Sequence, residues 1–506
     1  MSTRRTLGLL AALVLVAFSG CDEKKAPPDA AKTAADSQAK QQAKPEVTVL
    51  VTGDENGWLL TEQGPDGKQT GGAAQLMGKW TQDERACAPT APCENPSTLV
   101  LSTGDHFNGQ AISSFFFGEP TAEAMNRMGY AASAFGNHEL DFGIEQFSKN
   151  QQKGGFPYLA ANVKVGQDGS SSLALKPFQV FERRGLKIGV IGLANVNAPK
   201  TVMAGRFNGI EVAPYEQALA TAIPEVWKAG ADAVVVLIDE CPSELEETFK
   251  AHADWKVDLV VGGHCREAYD NKVGEVRMFS PGRRFEKYVR AKLTGDLSKP
   301  AGQRVTGVEA SVVEVGNAAP DARIEAAAAQ WKVKLDEALG EEIGFTKAGL
   351  KQDSEQMARW ITRSWLETLE TDVALINQGG IRQDLPPGKI TRASVYSVLP
   401  FENSLMIVNL PGEALIKALS RDEARFAGAT KAGKGFKDAK GKAIDPSRTY
   451  KVATVEFLFF GGDGFEMEQH DPFPTESGQV WQTPVINWTK KQQTTAKKPL
   501  ESVLKK

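Results

Sequence analysis

Several short apolar runs in the first half of the chain end in the same way, and this recurrence constrains the fold more than any other feature. Residues 47–52 run into Gly53-Asp54, and residues 98–102 run into Gly104-Asp105. Residues 131–135 run into Gly136-Asn137-His138-Glu139, and residues 258–261 into Gly262-Gly263-His264. Short runs rich in β-branched and apolar residues read as buried strands. Similar runs occur at 187–193 and 233–238, and helical patterns at 121–128 and 215–228 fall between them. Strands alternating with helices predict an α/β layered domain. In such sheets the ligand site lies beyond the carboxyl ends of the strands. One Gly-Asp alone can be a turn closed by an Asx hydrogen bond. Its repetition at strand ends, with His and Asn added, predicts a site built from hard oxygen and imidazole ligands.

The second half changes character. Residues 319–339 are Ala-rich with helical periodicity, and they predict a connecting helix. A helix at 356–369 then leads to a strand at 373–376 and the loop Asn377-Gln378-Gly379-Gly380-Ile381-Arg382. Strands at 405–410 and 450–454 precede a second Gly-rich turn, Gly461-Gly462-Asp463-Gly464-Phe465. The organisation expected is a signal segment at 1–21, a tether at 22–45, a first α/β domain at 46–318, a linker helix at 319–342, a second α/β domain at 343–488, and a disordered polar tail at 489–506.

The N-terminus reads as an export signal. Arg4 and Arg5 precede an apolar stretch at 7–18, then Ser19-Gly20-Cys21. The flanks suit a signal peptide better than a membrane span. The position of Cys21 resembles a bacterial lipobox, with Cys21 as the lipidated residue. Residues 22–46 lack large apolar side chains and cannot fold alone. Such a tether spans roughly 25–30 Å on average. Export into an oxidising compartment makes Cys87, Cys93, Cys241 and Cys265 candidates for disulfides, with the connectivity open. A net charge of −4 argues against a nucleic-acid-polymer partner.

Together, the motifs and their order resemble the calcineurin-like metallophosphoesterases and, with the second domain, the bacterial 5′-nucleotidase family. The resemblance runs from about residue 46 to 488. It implies a four-layer β-sandwich flanked by helices, followed by an α/β nucleotide-binding domain. It implies a divalent metal (Mn, Zn, Co or Mg; one or two ions). Asp54 would bind the first ion, Asp105 would bridge both, and Asn137 and His264 would bind the second. His138 and Asp141 would form the catalytic pair. Phe401 and Phe465 would sandwich a base, while Asn377 and Arg382 would hold the phosphate or ribose. Asp471 is a weaker candidate for a ribose contact.

The sequence departs from that family at the first metal. The family's Asp-x-His is here Asp54-Glu55-Asn56, a family His aligns with Asp239, and a family His or Gln aligns with Arg266. Arginine has no lone pair to offer a metal. The expectation is one ion at Asp105, Asn137, Asp239 and His264, with Arg266 standing where the other ion's charge would be, as a replacement cation or oxyanion clamp. His106 follows Asp105 directly and is expected to point away, because neighbouring side chains diverge. The leading function is an exported phosphoesterase acting on nucleotides or related phosphate esters, lipid-anchored at the membrane facing the periplasm or cell surface, and monomeric. Alternatives are a catalytically impaired nucleotide- or metabolite-binding lipoprotein and a thiosulfohydrolase-like relative.

Overall fold

The computed structural model describes residues 44–63, 69–86, 97–166 and 173–505. The signal segment with Cys21, most of the tether, and Cys87 and Cys93 lie outside the described residues. From Pro45 onward the chain forms one compact unit.

The site strands are β1 (Glu46–Thr52), β2 (Thr98–Ser102), β3 (Tyr130–Ala134), β4 (Ala233–Ile238) and β5 (Leu259–Gly262). β1, β2 and β3 are parallel neighbours in a seven-stranded sheet. β4 and β5 are parallel neighbours in a six-stranded sheet, with Leu186–Leu193 on the other side of β4. Side chains alternate between sheet faces with period two. Thus Val47, Val49, Val51, Leu99 and Leu101 face Ile188, Val190, Val235, Leu237 and Val261 in the core between the sheets. Leu50 and Val100 point outward under helices Ala73–Asp83 and Glu119–Met128. On the second sheet, Val234, Val236 and Val260 point outward under helix Tyr215–Lys228. The result is four layers, helix on sheet on sheet on helix, as expected. Burial on both faces explains why the strands read as continuous apolar runs rather than alternating ones.

Helix Ala322–Leu339 starts at Asp321, whose carboxylate accepts the N–H groups of Arg323 and Ile324. It packs Ile324, Leu335 and Leu339 onto the first core rather than spanning free space. The C-terminal core begins at Ile343 and gathers around a five-stranded sheet containing Val373–Asn377, Ser404–Pro411 and Thr449–Val455.

The expected disordered tail is a correction. Helix Gln482–Gln492 runs through Thr489, and Leu500–Leu504 forms another helix. Thr489 and Leu500 are fully buried, and Trp360 Nε1 donates to Thr489 Oγ1 at 2.9 Å. Lys-rich composition hid the spacing of Leu500, Val503 and Leu504, which is the i, i+3, i+4 pattern of one buried helix face.

Glu62 links the two halves. Gln110 and, from the C-terminal half, Gln383 both donate to its Oε1, at 3.0 and 2.6 Å. Burial pushes its carboxyl from 4.5 up to about 7. A raised folded-state value means that stability is greatest below pH 4.5 and falls as pH rises through about 7. Glu62→Gln keeps the accepting oxygen and removes the buried charge. Its Tm should exceed that of the parent at pH 8, by the equivalent of about 3 kcal/mol, and match it at pH 4. Thermal unfolding at the two pH values checks this.

Candidate active site

Five non-glycine residues with left-handed backbone cluster at the strand ends: Asp54, Asn56, Asp105, His264 and Arg266, with φ between 45 and 65°. Such conformations are uncommon outside glycine and concentrate at functional sites. The loops after β1 and β2 are tied together by Asp54 N to Gly104 O at 3.0 Å and Asn56 N to Asp105 O at 2.9 Å. Glu139 braces the second loop, accepting the N–H groups of Asp105 (3.2 Å) and His106 (3.0 Å). Gly136 is required at this junction, since a Cβ there would lie 2.5 Å from the Asp105 amide nitrogen.

Each key carboxylate has one oxygen fixed. Asp105 Oδ1 accepts His138 N–H at 3.0 Å, and Asp239 Oδ2 accepts Asn137 N–H at 3.1 Å. Their other oxygens, Asp105 Oδ2 and Asp239 Oδ1, are buried without a hydrogen-bond partner, as are Asn137 Oδ1 and His264 Nδ1. His264 Nδ1 lies 3.9 Å from both free carboxylate oxygens. Asp105, Asp239 and His264 each turn one donor atom into a space where all lie within 4.8 Å of one another. Unpaired buried acceptors cost stability. A divalent cation bonded at about 2.0–2.2 Å would satisfy the acceptors at once.

The electrostatics agree with that fit. Burial, then the charges of Asp105 and Asp54, push Asp239 well above the carboxylate range. Burial and Asp105 push Asp54 up to about 7. Burial also opposes ionisation of Asp105, but His138 and His264 outweigh it and hold this carboxyl below its usual value. Burial holds His264 below its usual value, which leaves the imidazole lone pair free. The cluster is short of positive charge, and its donors suit a metal.

His138 Nδ1 pairs with Asp141 Oδ2 at 2.7 Å, and Asn108 Nδ2 donates to the same oxygen. This fixes the ring with its other nitrogen available to the cleft. His106 points away, as expected. Its ring meets Tyr158 Oη at 2.8 Å and Ser133 Oγ at 3.0 Å, and burial lowers it to about 3, so it stays neutral. Asn56 is turned away from the carboxylates. Its Nδ2 donates to Asp105 O at 3.0 Å, and its Oδ1 accepts from Arg382 Nη2 at 3.3 Å.

The cleft beside His138 is lined by Asn137, His264 and Arg266 from the first half, and by Asn377, Arg382, Phe401, Phe457 and Asp463 from the second. Phe401 stacks on His138 with ring centroids 5.7 Å apart and planes 21° apart. Arg382 is buried, its guanidinium 5.4 Å from the Phe401 ring centroid. Among the described residues it forms no ion pair, and burial together with nearby Arg266 depresses its pKa well below the usual value. It lacks an anion. Asn377 Nδ2 donates to Asp463 Oδ2 at 2.6 Å.

Phe465 does not reach this cleft, which corrects its expected role. It is 2% exposed, in the C-terminal core with the Arg421 guanidinium 4.7 Å away. The turn passes through positive φ at Gly461, Asp463 and Gly464, placing Asp463 on the cleft and Phe465 in the core. Phe457 is the second aromatic ring, with Phe401, in the cleft lining. Asp471 also stays outside, accepting from Asn409 N at 2.7 Å. Sequence reasoning missed Phe457, Asn108 and the brace Glu139; the buried Glu beside His138 was the available signal. Phe465→Ala should destabilise the protein by about 3–5 kcal/mol. Phe457→Ala should leave Tm within a few degrees and raise KM for a nucleoside phosphate about tenfold, the scale of one lost stacking contact. Denaturation and steady-state kinetics on both variants separate the roles.

Cys241 and Cys265 lie equally far beyond paired residues Ile238 and Gly262, and both are free thiols. Burial raises both thiols, and Cys265 Sγ donates to Gly263 O at 3.3 Å.

Residues 333–470 match the family described as 5′-nucleotidase, C-terminal domain. Protein UshA of Yersinia enterocolitica is 26% identical over 485 residues, covering 83% of this chain and 86% of that protein. A 5′-nucleotidase of Vibrio cholerae is 25% identical over 447 residues, covering 76% of this chain and 80% of that protein. The crystal structure of a 5′-nucleotidase precursor from Thermus thermophilus superposes with a TM-score of 0.76 at 21% identity, covering 89% of this chain and 97% of that one.

Proposed function

We infer that this chain, which belongs to the 5′-nucleotidase family by its C-terminal domain and its fold, is a metal-dependent phosphoesterase acting on nucleotides. We further propose that it is exported and lipid-anchored through Cys21. One observation carries the catalytic reading. The His138–Asp141 pair and His264 line a cleft that also holds Arg382 and two aromatic rings, and the unpartnered oxygens of Asp105 and Asp239 lie 3.9 Å from His264 Nδ1.

Asp105, Asp239, His264 and Asn137 would hold a divalent ion. Such an ion would supply Lewis acidity toward a phosphoryl oxygen and would lower the pKa of water toward neutrality. The chain's own groups do the rest. Asp141 accepts from His138 Nδ1, fixing the ring so that its far nitrogen can deliver a proton to the departing ester oxygen or stabilise its charge. Asn108 holds Asp141 in place. The Arg382 fork grips phosphate oxygens. Phe401 and Phe457 stack the base, and Asn377 with Asp463 offers an amide and a carboxylate to the ribose hydroxyls. Burial of the reacting groups keeps bulk water out and strengthens each charge contact.

The test is phosphate release from a nucleotide panel by metal-stripped protein, with Mn, Zn, Co or Mg restored singly. Release with a restored ion supports the reading. Saturable nucleotide binding without release would replace it with a binding protein. Indifference to nucleotides, with turnover of a thiosulfate ester, would replace it with sulfur chemistry.

A further inference from the structure

Asp54 is faced by the Arg266 guanidinium, and the charges of both Arg266 and Arg382 act on it. Both Asp54 oxygens are buried and lack hydrogen-bond partners, and Asp54 does not belong to the Asp105, Asp239 and His264 cluster. Arg266 Nε lies 3.9 Å from Asp54 Oδ1. Asn56, two residues on, has both ends of its amide engaged, by Asp105 O and Arg382 Nη2. Arg382 therefore reaches from the C-terminal half to the loop that carries Asp54. Arg266 and Arg382 both line the cleft.

We propose that the chain binds a single divalent ion, at Asp105, Asp239, His264 and Asn137, and that Arg266 and Arg382 together replace a second ion as the phosphate clamp on the Asp54 side. This deepens the phosphoesterase reading and rests on its placement of the ion. Charge counting supports it. Asp54, Asp105 and Asp239 contribute three negative charges. One divalent ion and two guanidiniums contribute four positive charges, leaving a modest positive field for a phosphate. A second divalent ion would be repelled by two guanidiniums, and the amide oxygen nearest in sequence to Asp54, Asn56 Oδ1, is already held by Arg382 Nη2. A guanidinium offers a flat pair of donors to phosphate and no lone pair to a metal.

Metal content and phosphate affinity test this without turnover. Protein saturated with Mn and freed of excess should carry one ion per chain by elemental analysis and give the six-line spectrum of isolated Mn. Two ions, or the spectrum of a coupled pair, would overturn the proposal. Arg266→Gln should keep one ion and weaken inorganic phosphate binding about tenfold; unchanged phosphate affinity would overturn the clamp. The pair Asn56→His with Arg266→His, which restores imidazoles beside Asp54, should raise the count toward two. If that variant does not fold, the parent's ion count and the Arg266→Gln affinity still decide. A protein that carries one ion and binds phosphate, yet releases none from nucleotides, would contradict the phosphoesterase reading alone.

Discussion

Asp105→Asn should yield a folded protein that no longer retains a divalent ion and has lost at least about 10³-fold in phosphate release. The side chain has two separable tasks. Its Oδ1 accepts the His138 amide, which an Asn oxygen can also do. Its Oδ2 faces His264 and Asp239 with no partner, and there the Asn NH₂ would present hydrogens to an ion. The substitution also removes a negative charge that pushes up both Asp54 and Asp239. The metal-free variant should therefore melt at or above the metal-free parent. Adding Mn should raise the parent's Tm and leave the variant's unchanged, because an ion stabilises only the state that binds it. Thermal scans with and without Mn read both effects. A parent-like Mn shift in the variant would remove Asp105 from the ligand set.

His138→Ala should lower kcat by about 10²–10⁴-fold, the usual loss when a positioned proton donor is removed. The ring is held by Asp141 at 2.7 Å and stacked on Phe401. Asp141→Asn should give a smaller loss of the same kind, since the ring stays in the cleft but loses its fixed orientation. Ion content should be unchanged in both, because the metal donors come from other side chains. A drop in metal content equal to the drop in rate would show that His138 supports the ion rather than the reaction.

Much of this architecture was legible because both sheets are buried on both faces. Runs such as 47–52 and 233–238 were apolar enough to mark strands, and each polar residue that followed marked a carboxyl end. His138 and Asp141 were expected as a pair from the family resemblance, and one turn of 3₁₀ helix with its cap brings them into contact. What the sequence concealed were directions. Phe457 and Phe465 flank one Gly-rich turn, and left-handed residues in that turn decide which ring meets the cleft. Asn56 stands where the family has a histidine, and its direction could not be read from the sequence. Its amide is claimed by a backbone carbonyl and by an arginine more than three hundred residues away, a long-range contact that no local pattern encodes. The C-terminal helix at Leu500–Leu504 was hidden for a related reason, since its buried face is only a few residues long.

The most direct test of the central claim is phosphate release from nucleotides by the stripped protein, before and after one divalent metal is restored, with His138→Ala alongside. The account predicts release that requires the metal and is lost in the variant. Equal release without any metal, or undiminished release by His138→Ala, would contradict it.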